Sequence, residues 1–357
     1  MIGGDAVNEI ELNLRERVTS LTLYEDFIYK LNKWYRSGNG LENPIIDLSE
    51  VEWIDALAIP NILVIGNIMR SFHGKPIRLI LPSDLRLVNF MRTSNFFLVS
   101  NLGNINLFDY DVDLVERAAY FIDNENRDKH KIHYYKPELS YYLIEKEEEQ
   151  LKYRASMYES IRYIVAPNQY KDVLMDQDVL SERELNVLLD IISEIICNSI
   201  LYSKSISYSF IQTDKYKSNF SISDSGIGFK KSLLNKNNVK TYLFDLYKNI
   251  LDYNQFEDFI VIMDVLFYSM NQNRRNLWSL KEIIVSSGGT LRIHNNSTQV
   301  VFTSKKCAGC YKGADECFKC LLDAYKKGHS NLRIFKAKLR GVHIEVELKN
   351  NERMGNF

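Results

Sequence analysis

Ser193-Glu194-Ile195-Ile196-Cys197-Asn198-Ser199, and later Asn219-Phe220-Ser221-Ile222-Ser223-Asp224-Ser225-Gly226-Ile227-Gly228-Phe229, are the stretches from which the fold can be worked outward. The first lies in a run from Ser181 to Tyr202 with helical spacing. Leu185, Leu188, Leu189, Ile192, Ile195, Ile196 and Leu201 form its apolar stripe, and Ser181 with Glu184 makes a capping box. Glu194 and Asn198 are four apart and project from one face, a turn apart. A carboxylate and an amide in such a helix either face water or need partners, because burying them unpaired costs a few kcal/mol. The second stretch is an alternating strand, Asn219 to Ser223, that runs into Asp224-Ser225-Gly226-Ile227-Gly228. Two glycines after an Asp remove the side chains that would keep a flat ligand from the backbone. Turns use the same residues, but the Glu-x-x-x-Asn helix upstream makes the combination specific.

Three further stretches follow in order: Leu277-Trp278-Ser279-Leu280-Lys281-Glu282-Ile283-Ile284, Gly288-Gly289-Thr290-Leu291-Arg292-Ile293 and Gly341-Val342-His343-Ile344-Glu345-Val346-Glu347-Leu348. Together, residues 155–348 resemble the ATPase superfamily of gyrase, histidine kinases and MutL, called GHKL, with the Bergerat fold. The resemblance implies an α/β sandwich that binds ATP and Mg²⁺. Carried over position by position, it implies that Asn198 coordinates the Mg²⁺, that Asp224 accepts a hydrogen bond from the adenine amino group, and that Gly226 and Gly228 let the loop approach the base. Glu194 stands where hydrolysing members have the general base, and Arg274 or Arg275 would reach the nucleotide from the lid.

The departures bear on turnover. Tyr202 stands where many relatives have His, Arg275-Asn276-Leu277-Trp278 replaces the second glycine box, and Gly341-Val342 replaces a Gly-Thr whose hydroxyl supports the adenine-binding Asp. They point to slow hydrolysis, or to binding without it. None of the six histidines lies in a two-helix segment preceding the ATPase region, which disfavours a histidine kinase. Serine or threonine phosphotransfer of the anti-sigma kind stays open.

Residues 1–112 read differently. Ile10-Glu11-Leu12-Asn13-Leu14 alternates like a strand, Leu21 to Trp34 has helical spacing, Pro44 to Leu48 is a short strand, Ala56 to Phe72 an apolar helix, and Ile77 to Leu81 a strand closed by Pro82. Strand, helix, strand at this spacing predicts parallel pairing. The run Ile46-Asp47-Leu48-Ser49-Glu50-Val51-Glu52-Trp53-Ile54-Asp55, with Phe90-Met91 and Phe96-Phe97 later, resembles a STAS domain of the anti-sigma-antagonist type. Regulatory members carry a phosphorylatable Ser after the Asp; Ala56 here argues against a phosphoswitch, and Asp47 and Asp55 are read as turn and helix caps. Residues 113–150 are read as a linker with an acidic, solvated helix face at Glu145 to Glu149. Residues 151–357 are what the GHKL resemblance implies to be the ATP-binding domain.

Within that domain, 304–335 is expected to be an insertion holding Cys307-x-x-Cys310 and Cys317-x-x-Cys320, four thiolates in the count structural Zn²⁺ prefers. An iron–sulfur cluster or free thiols are the alternatives. From Lys305 to Arg340, ten Lys or Arg stand against three Asp or Glu, so this segment could meet nucleic acid or a protein. The whole chain carries only −1, which gives no global field for nucleic acid or an anionic membrane. Its 357 residues suit two domains, and 45% hydrophobic with 25% charged residues excludes disorder as the dominant state. The apolar runs near Ile59 to Met69 and Phe259 to Phe267 fall short of the ~20 residues of a span. Five cysteines, four of them within fourteen residues, and an amino terminus without a leader pattern fit a cytoplasmic protein. The expectation is therefore an ATP-binding regulatory protein, a slow Mg²⁺-dependent ATPase acting on a protein partner, in stress response or phage defence, with a homodimer left open. The alternatives are a nucleotide-sensing scaffold that does not hydrolyse and the anti-sigma-like kinase.

Overall fold

The computed structural model describes residues 10–36, 44–102, 105–120, 130–171, 173, 182–213, 216–234, 253–270, 277–304 and 313–349. The chain is mixed α/β, on two sheets. β1 (Ile10–Val18), β2 (Pro44–Ile54), β3 (Ile77–Ile80) and β4 (Phe108–Asp109) lie side by side in that order, all parallel, as the strand and helix spacing predicts. The first crossover is a helical stretch, 20–36, with a π-helical turn at Leu23–Phe27 running into α1 (Ile28–Arg36). The second is α2 (Ile59–His73), entered through a turn of 3₁₀ helix that Asp55 caps by accepting from the Leu57 N–H at 3.1 Å. Asp47 accepts from the Ser49 N–H at 2.8 Å, so both carboxylates of this run are turn and cap residues. α3 (Leu85–Thr93), α4 (Phe96–Ser100) and α5 (Val112–Ala118) complete this half.

The second sheet is antiparallel, in the order β5 (His130–Tyr135), β6 (Ser207–Thr213), β7 (Lys217–Asp224), β9 (Leu332–Lys349), β8 (Thr290–Thr303). The expected linker 113–150 is thus corrected: His130–Tyr135 pairs with β6 as an edge strand, burying His130, Ile132 and Tyr135. Against one face lie α6 (Glu147–Ser160), α7 (Glu182–Tyr202), α8 (Gly228–Leu234), α9 (Tyr253–Met270), α10 (Leu277–Ser286) and α11 (Ala314–Lys326), sharing a core with β7, β8 and β9. The apolar stripe read from the sequence is the buried face of α7. By length and composition Leu185–Tyr202 could cross a membrane, but 67% of it is buried in this core.

The range 304–335 also needs correction. Leu332 and Ile334 already belong to β9, paired with Val300 and Thr298, and α11 lays Cys317, Phe318 and Leu321 into the main core, Phe318 stacking on Phe259 at 4.7 Å between ring centres. A helix with that apolar face shares the main core rather than forming a separate knuckle.

The other face of the sheet is covered by the first half of the chain. Tyr208, Phe210, Phe335, Ala337 and Leu339 join the core around α1 and α2. Polar side chains on that face are buried too. Ser223 donates to Asn61 Oδ1 at 2.8 Å, Asn61 donates to Ser20 at 3.2 Å, and Tyr24 stacks on His294 at 3.9 Å. Burial pushes His294 down to about 3 and Glu345 up to about 7, the latter only partly offset by Arg292, 3.8 Å away. The folded chain holds the Glu345 proton at pH values where an unfolded chain has released it. Its contribution to stability is therefore full near pH 4 and lost as pH rises through about 7. Glu345→Gln removes that loss, so the variant should be more stable than the parent at pH 8, by on the order of 3 kcal/mol, with the gain nearly gone near pH 4.5. Urea unfolding at the two pH values checks this; the same difference at both would refute it.

Candidate functional site

Where α7 crosses the end of β7, a partly open cavity of about 190 Å³ lies between them, lined by Arg154, Glu194, Asn198, Tyr202, Asp224 and Gly228 and walled by apolar Ile222, Leu277 and Ile344. Glu194 and Asn198 share a helical face, as their spacing predicts, and the Asn198 amide donates to Glu194 Oε1 at 3.1 Å. Glu194 is only 5% exposed. One turn on, the Tyr202 hydroxyl stands 3.3 Å from that of Tyr141, and burial raises it far above its ordinary range.

Arg154 is the residue that sequence reasoning missed. It reaches in from α6, and its Nη2 forms an ion pair with Glu194 Oε1 and lies 3.4 Å from Asn198 Oδ1. The sequence shows it as one basic residue on an acidic helix, without a motif. Its helical offset from Leu151, which also lines the cavity, is the signal that could have found it.

Asp224 ends β7, opposite Ser207. Its Oδ1 accepts from the Gly226 N–H at 2.8 Å. Burial raises this carboxyl to about 7, against the lowering effect of the Gly226 and Val342 N–H groups and of Arg340. The backbone N–H of Val342 is thus a second donor to this carboxyl, beside that of Gly226. Gly226 does not line the cavity. A Cβ there would sit 1.9 Å from the Ser203 carbonyl oxygen, so its need for glycine is the close approach of the loop to the end of α7, which the Ile227 N–H closes with a 2.9 Å bond to the same oxygen. This revises the role expected from the sequence, while Gly228 does face the cavity.

The same loop is held from behind. Asn67 on α2 donates to Ser225 Oγ at 3.3 Å, and Arg340 Nε donates to the Gly226 carbonyl at 3.0 Å. Arg274, Arg275, Cys307 and Cys310 lie outside the described residues. Cys317 is buried and Cys320 half-buried, one turn apart on α11. Burial pushes the Cys317 thiol up to about 11, and Lys281, 1% exposed, draws it back. Among the described residues, no three His, Cys, Asp or Glu gather as a metal site. No family model, curated protein or solved structure matches the chain.

Gly341 fixes the floor of the site. It has φ +108°, and a Cβ there would stand 1.8 Å from the Asp224 carbonyl oxygen. Gly341→Ala should cost ~2 kcal/mol or more in urea unfolding. Gly74, with φ +72° and nothing within 4 Å of an added Cβ, separates the two effects. Gly74→Ala should cost about 1 kcal/mol, the strain of φ alone. Equal costs at the two positions would remove the close approach from the account.

Proposed function

We propose that this chain is an ATP- and Mg²⁺-binding regulatory protein of the GHKL type with a STAS-like first half, a slow ATPase whose nucleotide state controls a protein partner. The observation that carries the reading is the convergence of Glu194, Asn198 and Asp224 on one cavity from a helix and a strand end far apart in sequence. In this reading the ionised Asp224 accepts from the adenine amino group, and Ile222, Leu277 and Ile344 give the base an apolar wall. Asn198 holds Mg²⁺, which when bound spreads the charge of the phosphates. The fit rests on Glu194 Oε1 and Asn198 Oδ1, two oxygens turned toward one cationic group, an oxygen donor set that suits a hard cation. Glu194 then takes the proton of an attacking water, a contribution of ~10²–10⁴-fold.

The regulatory part of the reading is supported by Asn61 and Asn67, which bond to Ser223 and Ser225 on either side of Asp224 and tie the first half of the chain to the binding loop. A second reading, a sensor that binds without hydrolysing, is favoured by the Arg154–Glu194 pair, since a carboxylate held by a guanidinium is a weaker base. Phosphate release from ATP alone separates the two.

Calorimetry with ATP·Mg²⁺ tests the binding common to both. The affinity should rise with pH through about 7, because the ionised carboxylate is acceptor-only and the stronger acceptor, whereas the acid turns an O–H donor into the site. Asp224→Asn should weaken binding at least 100-fold, since the amide must turn its NH₂ either toward the loop N–H groups or toward the adenine amino group. Unchanged affinity in that variant would sink the assignment.

We propose in addition that Cys317 and Cys320, with Cys307 and Cys310, hold structural Zn²⁺. Lys281, buried beside Cys317, supports this by offsetting the negative charge of a thiolate set. Elemental analysis of protein purified without added metal should then give about one zinc per chain. Metal-free protein would refute the site, and iron with visible absorbance would replace it with a cluster.

A further inference from the structure

Among the described residues lining the cavity, Arg154 is the only cationic one, while Glu194 and Asp224 are both carboxylic acids. A nucleoside triphosphate brings several negative charges into that space. Were Arg154 to stay where it is, its guanidinium would occupy the approach to Glu194 Oε1 and Asn198 Oδ1, the two oxygens on which metal and water binding depends in the proposed function. Those atoms cannot serve the guanidinium and Mg²⁺ together. The terminal phosphate would meanwhile find no second cationic side chain among the described residues that line the cavity, which in a partly buried site is unfavourable for a group of its charge.

Both conflicts are relieved by one movement. We infer that Arg154 is an exchangeable counter-ion: it pairs with Glu194 and Asn198 in the empty cavity, and leaves them to pair with the terminal phosphate of a bound nucleoside triphosphate. Arg154 stands at the cavity edge with its side chain 16% exposed, at the end of a long flexible stem on α6, a helix with no fully buried residue. Guanidinium to phosphate is a charge-assisted, bidentate contact, so the exchange replaces one strong pair by another. It also frees Glu194 when a terminal phosphate is present and not otherwise. A diphosphate, lacking that group, leaves Arg154 on Glu194. The inference rests on the nucleotide reading of the cavity and adds to it the source of discrimination between triphosphate and diphosphate.

The test uses the full chain with Glu194→Gln as background, because removing Arg154 alone would take the guanidinium away from a buried carboxylate and perturb the site by that route, and because this background stops turnover. Calorimetry gives the affinities of ATP·Mg²⁺ and ADP·Mg²⁺ for Glu194→Gln and for Glu194→Gln/Arg154→Ala, with thermal melting to confirm that both fold. The added Arg154→Ala should lower the ratio of ATP to ADP affinity ~10-fold or more, mainly through ATP. Arg154→Lys should restore part of it. Released from Glu194, Arg154 should also make the Glu194→Gln protein favour ATP over ADP more strongly than the parent does. An unchanged ratio on removing Arg154, whether both affinities fall or neither does, would assign it a purely structural role and overturn the inference while leaving the nucleotide reading intact. A parent protein that binds neither nucleotide would overturn both.

Discussion

A carboxylate that ends a strand beneath two layers of protein has to be supplied with donors by the chain itself. Asp224 imposes that demand, and much of the site's architecture follows from it. Its N–H donors are Gly226 and Val342, so the loop after β7 must curl back and β9 must run close beside it. Curling back presses Gly226 on the carbonyl of Ser203 and so sets where α7 ends; running close presses Gly341 on the Asp224 carbonyl. With the end of α7 fixed, Glu194 and Asn198 are fixed too, two turns and one turn back along the helix. The donors lower the carboxyl without overcoming its burial, and it stays near 7, where small changes in its surroundings change its charge.

The second constraint is that neither face of the antiparallel sheet is left to water. β7 reads Ser-Asn-Phe-Ser-Ile-Ser-Asp, an alternation that on its own describes a strand with one wet side. Phe220 and Ile222 do join the helical core, but Ser221 and Ser223 are equally buried, under the helices of the first half. An interface of this kind is held as much by hydrogen bonds such as Ser223 to Asn61 as by apolar area, and it includes His294, His343 and Glu345 in forms that burial drives toward neutrality.

Much of this was legible in the sequence, for identifiable reasons. Helical periodicity gave α7 and put Glu194 and Asn198 on one face because an i, i+4 relation is fixed by the helix itself. Strand and helix alternation gave the parallel sheet because crossovers need length. What could not be read depends on distant pairing. β5 lies in a polar stretch whose partner, β6, begins some seventy residues later, and nothing local announces it. Arg154 belongs to a helix whose acidic first turn, Glu147 to Glu149, suggests solvent, and beyond the weak cue of Leu151 it matters because the fold brings that helix to α7. Ser223 looks like the wet side of a strand because a hydroxyl does not reveal whether water or Asn61 will accept from it.

The two constraints meet in three consecutive residues, Ser223, Asp224 and Ser225. In an extended chain successive side chains point to opposite faces. Ser223 therefore reaches the first half of the molecule, Asp224 the cavity, and Ser225 the first half again, where Asn67 meets it. A ligand that changes the charge or position of Asp224 acts on a backbone pinned from the other side at both neighbours. Asn61 and Asn67 are on α2, six residues apart and so a turn and two-thirds along one helix, which makes their two contacts a lever on that helix rather than two separate bonds. The alternating geometry of one strand end is thus what joins the chemistry of the cavity to the parallel-sheet half of the chain.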